Sequence, residues 1–189
     1  MMRDSNSDIQ VREIEVGDLE DMYRYFFESP PEFLRSIGLK PRQPGDDEIF
    51  RQRWAEQFAE RKSGGQPIPV LTVLFRGERI GFHTTTHREP GKSLIMHAHF
   101  FRSDLRGKGI GTVSYVLALD KFLTEYGYKE VIFKTPKRNL APMKIKEKLG
   151  LEPIGEEVID WPQLIEPLAV KVFRVLESDL PGLKTRVGL

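Results

Sequence analysis

The sequence predicts an α+β fold in which a central sheet of about seven strands and about four helices pack in three layers. Strand-like and helix-like apolar patterns follow one another in the order β-α-α-β-β-β-α-β-α-β-β. Three of these strands are consecutive and joined by tight turns, which is typical of an antiparallel meander. Because no linker interrupts the patterns, we expect one domain over residues 1–189, with a core from 9 to 176 and a tail from 177 to 189.

The first part of the chain predicts one strand and two helices. Residues 9–14 alternate apolar and polar side chains, as a half-buried strand does. Asp18 is a suitable N-cap for the first helix, which Pro30 and Pro31 end. A short turn is predicted over residues 33–37. The second helix begins at Asp46 or Asp47, because Phe50, Trp54 and Phe58 recur after it at helical spacing.

The second part of the chain predicts the other six strands and two more helices. The strands are expected over residues 70–75, 80–86, 94–101, 130–135, 152–159 and 168–176. An apolar stripe predicts a helix from Val113 to Tyr126 that Gly127 closes. A second helix is expected from Asn139 to Leu149, closed by Gly150. The last residues, 179–189, are predicted to be a loose tail.

Composition excludes several functional classes. Lys and Arg together number 29 and Asp and Glu 28, so nothing indicates a nucleic-acid or membrane partner. The chain has no cysteine, which excludes a disulfide, a thiol nucleophile and a cysteine metal site. The N-terminus, residues 1–8, is polar and has no signal-peptide pattern, and no apolar run approaches the length of a membrane helix. We therefore expect a cytoplasmic protein.

The glycine-rich segment from Arg106 to Thr112 lies between a predicted strand and a predicted helix, a position suited to binding phosphate. Residues without side chains let an anion approach the backbone, and the free N–H groups of the first helical turn point at it. Arg106 and Lys108 add full positive charges. A tight turn with a purely structural role is the alternative interpretation of this segment.

Spacing distinguishes the phosphate-binding motifs. The run Gly-x4-Gly-Lys-Ser/Thr of a Walker loop is absent from the sequence. A Rossmann fingerprint would place its third glycine at Thr112 and an acidic residue at the end of the next strand, and neither is present. The pattern that fits is Arg-x-x-Gly-x-Gly, formed by Arg106, Gly109 and Gly111.

This motif resembles the acyl-CoA pyrophosphate loop of the GNAT superfamily of N-acyltransferases. The order of elements is also that of the GNAT fold, a mixed and mostly antiparallel sheet, and the resemblance covers residues 9–176. Asn139, at the start of a helix closed by Gly150 and Leu151, is similar to the Asn-x-x-Ala…Gly-Phe stretch of the family. The segment Ile80-Gly81-Phe82 is also similar.

The resemblance implies an enzyme that transfers an acetyl group from acetyl-CoA directly to a primary amine of a small molecule or peptide. The fourth and fifth strands would splay apart after a bulge, and the pantetheine arm would lie between them. The residues that the resemblance assigns to the cosubstrate are Phe100, Phe101, Arg106, Gly107, Lys108, Gly109, Ile110, Gly111, Thr112 and Asn139. No metal is expected, and a homodimer is left open.

Direct attack requires a neutral amine, so a general base is useful. Counted back from the loop arginine Arg106, His97 lies at the position of the base histidine in the similar aralkylamine acetyltransferases. His99 is the second candidate for the general base. An unperturbed imidazole predicts activity that rises with pH through about 6–8. Two alternatives are histidines that only form hydrogen bonds across the sheet, and a zinc site that adds His83 or His87 to this pair.

Two positions depart from the family pattern. Many members have a tyrosine, the proton donor to the leaving thiolate, seven residues after the asparagine, where this chain has Lys146. We interpret Lys146 as a solvated helix residue, which leaves the acid unassigned. An acyl-CoA-sensing module without catalysis is therefore the alternative function. Pro142 replaces a common alanine in the first helical turn, where proline is tolerated.

The acceptor is not determined by the sequence. Carboxylates near the two N-terminal helices could bind an amine, although helix capping and solvation are the simpler interpretation: Glu28, Glu32, Asp46, Asp47 and Glu48. Phe33, Trp54 and Trp161 could line an acceptor pocket, although core packing is the simpler interpretation for each.

Overall fold

The computed structural model describes residues 6–189, so residues 1–5 of the polar N-terminus lie outside it. One sheet contains seven strands in the order β1-β2-β3-β4-β5-β7-β6. The strands are β1 Ile9–Glu13, β2 Leu71–Phe75, β3 Glu78–Glu89, β4 Ser93–Phe100, β5 Glu130–Pro136, β6 Gly155–Ile159 and β7 Leu168–Leu176. Only β4 and β5 are parallel, and every other neighbouring pair is antiparallel. The predicted mixed and mostly antiparallel sheet is confirmed.

Helices cover both faces of the sheet. They are α1 Leu19–Tyr23, α2 Pro31–Ser36, α3 Asp46–Lys62, α4 Ile110–Asp120, α5 Leu140–Leu149 and α6 Leu180–Val187. A π-helical turn, Arg24–Glu28, continues α1, and another, Lys121–Glu125, continues α4. The helices α1 to α3 pack through Met22, Tyr25 and Trp54 against Phe82 of β3. On the opposite face α4, α5 and α6 share one apolar cluster with β4, β5 and β7.

The helix α4 is the centre of the larger cluster. Val116, Leu119 and Phe122 are fully buried, and they contact side chains such as Leu94 of β4 and Val131 of β5. A helix that is apolar on most sides must be covered by protein, and here the sheet, α5 and α6 cover it. The start of α4 is therefore held rigidly beside the end of β4.

The predicted tail is wrong at the level of local structure, because residues 180–187 form α6. Asp179 accepts a hydrogen bond from the N–H of Leu176 at 2.8 Å before the helix starts, and Gly188 ends it with a φ of 73°. Leu180 and Leu183 are buried against α4. Where the sequence predicted only a turn, the structure has the helix α2. The predicted sixth strand began at residue 152, three residues before the observed start of β6 at Gly155. No helix within residues 6–189 is long and apolar enough to cross a membrane.

Replacing Leu183 by Ala should lower the free energy of unfolding by about 2–5 kcal/mol, because the change removes buried methyl groups and leaves a cavity beside α4. Urea unfolding followed by circular dichroism measures the difference. Leu189→Ala is the matched control, because this leucine is 45% exposed and its loss should change stability by less than about 0.5 kcal/mol. Equal effects of the two changes would show that α6 is not part of the cooperative core.

Candidate active site

The sheet opens between its two parallel strands. β4 pairs with β5 only over three residues, from Ser93 to Ile95 on one strand and from Glu130 to Ile132 on the other. Beyond this point β4 continues to Phe100, paired with β3, while β5 continues to Pro136, paired with β7. In the part of the chain that the structure describes, each strand therefore has one edge without a strand partner here, and the gap between them can accept a ligand that pairs with the backbone. We call this gap the β4–β5 cleft and its closed end, at Ile95 and Ile132, the apex.

A bulge lies beside the point where the strands part, but it is in β3 and not in β4 or β5. β4 keeps a regular register with β3 from Ile95 to Phe100. The irregularity is in β3, between Thr86 and Glu89, where His87 has a φ of 47°. The cleft therefore arises because the two strands belong to different halves of the sheet, without a distortion of β4 itself.

The glycine-rich segment lies at the open end of the cleft. A short 3-10 turn, Ser103–Leu105, follows β4, and Arg106 to Lys108 are exposed. Gly107 and Gly109 have φ values of 79° and 83°, a conformation that favours glycine, and Gly109 is the N-cap of α4. Since a glycine N-cap has no side chain to bind the first N–H groups of the helix, those groups are available to an anion.

Gly111 lies close to two other parts of the site. A side chain here would begin 3.5 Å from Ile145 of α5 and 3.9 Å from the Phe100 ring. Ile110 and Thr112, also predicted to bind the cosubstrate, are buried in α4, so only their backbone can contribute. The structure thus brings the segment from Arg106 to Thr112 together with Phe100. Phe101 instead packs with the cluster of α1 to α3, and its N–H donates a hydrogen bond to the carbonyl oxygen of Ile80.

Asn139 lies at the other wall of the cleft, just after β5. It is the N-cap residue of α5, but its side chain makes no capping hydrogen bond and is exposed. Its backbone N–H is bonded to the carbonyl of Pro136 at 2.9 Å, which fixes the turn. The free side-chain amide can both donate and accept hydrogen bonds, as an amide-containing ligand requires.

His97 lies two residues beyond the apex, on the face that carries α1 to α3. Its Nε2 is 2.8 Å from the Thr86 hydroxyl oxygen, and its ring meets Trp161 edge-on at 5.8 Å. Burial lowers the pKa of His97 to about 4, with smaller effects from His87 and the Lys146 charge. The imidazole is therefore neutral at physiological pH, and the pH dependence that the sequence predicted near 6–8 does not come from this group.

His99 shares the face of His97 but is enclosed by aromatic rings. Tyr25 and Phe26 each lie 5.2 Å from it and Phe82 lies 5.1 Å away, measured between ring centroids. Its Nε2 is 3.1 Å from the Thr84 hydroxyl. Burial lowers the pKa of His99 to about 3. This environment fits a packed aromatic-like residue better than a group that exchanges protons with substrate.

His83 faces the opposite side of the sheet, towards α4. Its Nε2 is 3.3 Å from the Ser114 hydroxyl, and its ring meets Tyr115 edge-on at 5.3 Å. It therefore cannot join His97 and His99 in the zinc site that the sequence left open. Within the described part of the chain, no three histidines or carboxylates come together as a metal site.

Lys146 contradicts the sequence interpretation, because it is 1% exposed and not a solvated helix residue. Its Nζ lies 4.2 Å from the ring centroid of Tyr115 and 4.1 Å from that of Phe133. No carboxylate, hydroxyl or carbonyl among residues 6–189 accepts a hydrogen bond from it. Burial lowers the pKa of Lys146 to about 7. The signal that sequence reasoning missed is the position of Lys146, three residues before the buried Leu149 and therefore on the same face of α5.

The acceptor side consists of aromatic residues and capping carboxylates. Glu28, Glu32 and Glu48 are exposed, while Asp46 accepts a hydrogen bond from the backbone of Gln43 at 2.8 Å. Trp54 is buried in the cluster of α1 to α3, as core packing predicts, and Phe33 packs edge-on against Tyr25. Trp161 differs from these, because it covers His97 and stacks on His87 at 5.1 Å.

A mixed sheet that opens between its parallel strands, with a glycine-rich helix N-terminus at the mouth of the opening, defines the class of acyl-CoA-dependent acyltransferases. The chain belongs to the GNAT acetyltransferase family, since the family model of the acetyltransferase (GNAT) domain matches residues 8–152. No curated protein sequence matches the chain.

Solved structures show the same fold. Spermidine N-acetyltransferase from Vibrio cholerae, in complex with CoA and spermine, superposes with a TM-score of 0.70 at 16% identity, over 93% of this chain and 99% of that one. Mycobacterium smegmatis RimJ, in complex with CoA-disulfide, superposes with a TM-score of 0.69 at 15% identity, over 95% of this chain and 88% of that one. Ribosomal-protein-S5-alanine acetyltransferase from Vibrio fischeri superposes with a TM-score of 0.67 at 18% identity, over 92% of this chain and 95% of that one.

Lys146 should make stability depend on pH. Its pKa is about 7 in the folded protein and about 10.4 in the unfolded chain, so the unfolded state binds more protons between these values. Over that range, the contribution of Lys146 to the free energy of unfolding should rise with pH by roughly 4 kcal/mol. The difference between the wild type and Lys146→Met, measured by urea unfolding from pH 6 to pH 10, should show this slope. Lys148 is exposed on the same helix, so the Lys148→Met variant should keep the pH dependence of the wild type. If the Lys146→Met variant also kept this pH dependence, the burial of Lys146 would be contradicted.

Proposed function

We propose that the protein transfers the acetyl group of acetyl-CoA to a primary amine of a small molecule or peptide. The observation that carries the proposal is the β4–β5 cleft with the glycine-rich segment at its mouth. An acyl-CoA is a linear molecule with a pyrophosphate at one part and a thioester at the far end. Binding of the pyrophosphate at the mouth directs the thioester along the cleft to the apex.

The cosubstrate would be held mainly by backbone groups. The first N–H groups of α4, with Arg106 and Lys108 beside them, would take the pyrophosphate. The unpaired edge of β4 up to Phe100 would bond the amides of the pantetheine arm, and the free amide of Asn139 would do so from the opposite wall. Gly111 would lie where the ligand, Phe100 and α5 meet.

The amine would be deprotonated beside His97. A neutral imidazole has one donor and one acceptor nitrogen, and Thr86 selects between them. If Nε2 donates to the Thr86 hydroxyl oxygen, Nδ1 carries the lone pair that can accept a proton from the amine or from a water. Trp161 meets the His97 ring edge-on, while its own ring is stacked by His87 and lies 5.9 Å from the Lys134 ammonium.

The proposal of an amine acceptor rests on the family and on the position of His97, whose ring meets Trp161 beside the apex. Two of the structurally similar enzymes are named after acceptors of different size: spermidine for one, and an alanine of ribosomal protein S5 for the other. At less than 20% identity these likenesses concern the fold. A panel of polyamines, amino acids and short peptides, with CoA release as the readout, tests the acceptor directly. Binding of acetyl-CoA without CoA release from any acceptor would favour a sensing module instead.

Replacing Arg106 by Ala should weaken acetyl-CoA binding about 10- to 100-fold, since a charge-assisted hydrogen bond contributes about 1.5–3 kcal/mol. Isothermal calorimetry measures the change. Arg174→Ala is the matched control, because this arginine is exposed on β7 and should not alter binding. An absence of binding by the wild type at millimolar acetyl-CoA would exclude the proposed function.

Replacing His97 by Gln should lower kcat about 10²- to 10⁴-fold and leave acetyl-CoA binding intact, as expected for loss of a general base. Because the pKa of His97 is lowered to about 4, the wild-type rate should show no rising limb from this group between pH 6 and pH 8. Steady-state rates across this range test both points. His87→Asn is the control, since His87 stacks on the same tryptophan and asparagine tolerates its φ of 47°. Near-wild-type turnover of the His97→Gln variant would show that His97 is not the general base and has only a structural role in the sheet.

A further inference from the structure

Lys146 occupies a defined place relative to the cleft. One of the two rings that enclose its Nζ belongs to Phe133, the first residue of β5 beyond the apex. The other belongs to Tyr115 of α4, the helix that starts at the mouth of the cleft. The side chain of Lys146 therefore reaches from α5 to the closed end of the cleft, on the face opposite to His97.

Within residues 6–189, the ammonium group of Lys146 has no charged partner. The titratable side chains that face it are His83 from β3 and Tyr115 from α4, and the Lys146 charge also acts on His97 through the cleft. Burial keeps all three neutral near pH 7, because it lowers the pKa of His83 to about 3 and that of His97 to about 4 and raises that of Tyr115 above its usual range.

The other charges on the helices nearby are engaged elsewhere. Lys184 of α6 pairs with Asp120 at 2.8 Å, and Arg186 lies against Gly150 at the far end of α5. Lys144, Glu147 and Lys148 of α5 are exposed. Lys146 thus lies at the apex without an ion-pair partner among the described residues, and its pKa of about 7 means that it changes charge near neutral pH.

A buried, unpaired ammonium is costly and serves no visible structural purpose. The hydrocarbon stem would pack equally well as methionine, and no ion pair or hydrogen bond of the described residues depends on the charge. The two rings hold Nζ through their faces, which stabilise a cation without neutralising it and leave its protons free. A proton donor aimed at a leaving group has these properties.

We propose that Lys146 is the general acid that protonates the thiolate of CoA as it leaves. This assignment rests on the proposed acetyl-transfer function and supplies the group that the replaced tyrosine would have provided. The neutral amine forms a bond to the acyl carbon and the carbon–sulfur bond breaks with its electron pair on sulfur. Sulfur takes a proton from the Lys146 ammonium. The amine nitrogen loses one proton, to His97 or a water, and Lys146 regains one from solvent, so protons balance.

The order of acidities favours this transfer. An ordinary lysine, with a pKa of about 10.4, is a weaker acid than a thiol with a pKa of about 8.5, so protonation of the thiolate would be uphill. With a pKa of about 7, Lys146 is the stronger acid and the transfer is downhill. The desolvated cleft thus makes a lysine fit for a step that needs a proton near neutral pH.

The test is the pH dependence of kcat with the wild type and three substitutions at residue 146, using an acceptor that the wild type acetylates. Wild-type kcat should fall as pH rises through about 7, because the acid must be protonated to act. Lys146→Met should lose about 100-fold at pH 6, and its deficit should shrink towards pH 9, where the wild type has also lost the proton. Lys146→Tyr should recover part of the rate and move the falling limb above pH 9.

Lys146→Arg separates proton donation from charge alone. Guanidinium keeps the charge but does not release its proton, so this variant should be as slow as Lys146→Met. Wild-type rates in Lys146→Arg, or a deficit in Lys146→Met that does not vary with pH, would overturn the assignment. Lys148→Met should match the wild type throughout. Calorimetry of acetyl-CoA and thermal unfolding of each variant identify misfolding, and an inactive wild type that binds no acetyl-CoA would instead reject the function itself.

Discussion

The structure depends on where β4 and β5 stop pairing. Each is fully paired on its other side, β4 with β3 and β5 with β7, so the sheet consists of two halves joined by a parallel contact of three residues. Hydrogen bonds within each half favour its own twist, and the halves separate beyond the contact. The loss of a few ladder hydrogen bonds leaves a backbone edge that a ligand with amide groups can complete.

The same separation places different chemistry on the two faces of the sheet. His97 approaches the apex from the face of α1 to α3, where Trp161 and Thr86 orient its ring. Lys146 approaches from the face of α4 and α5, between Tyr115 and Phe133. A thioester in the cleft would therefore meet an attacking amine on one side and release its sulfur on the other. Burial acts on both groups, and it keeps the histidine neutral and makes the lysine acidic.

Family resemblance and physical setting give different information about the acid. A tyrosine and a lysine differ in shape and charge, yet both can donate a proton to a thiolate if their surroundings set a suitable pKa. Here the surroundings are apolar and aromatic, and because they favour the neutral form they make the Lys146 ammonium more acidic and the Tyr115 phenol less acidic. The departure from the family pattern that had favoured a non-catalytic module thus becomes an argument for catalysis.

The sequence by itself determined the order of the strands and of the longer helices, the mixed sheet and the glycine-rich turn, because alternation, capping residues and glycine positions are local signals. It identified the family from Arg106, Gly109, Gly111 and Asn139. Only the tertiary structure decided the environment of the titratable groups. Burial depends on residues far apart in the chain, so Lys146, which looks solvated in sequence, proves to be enclosed by α4 and β5. The tail could not be predicted for the same reason: α6 is short, and its stability comes from packing on α4 rather than from its own sequence.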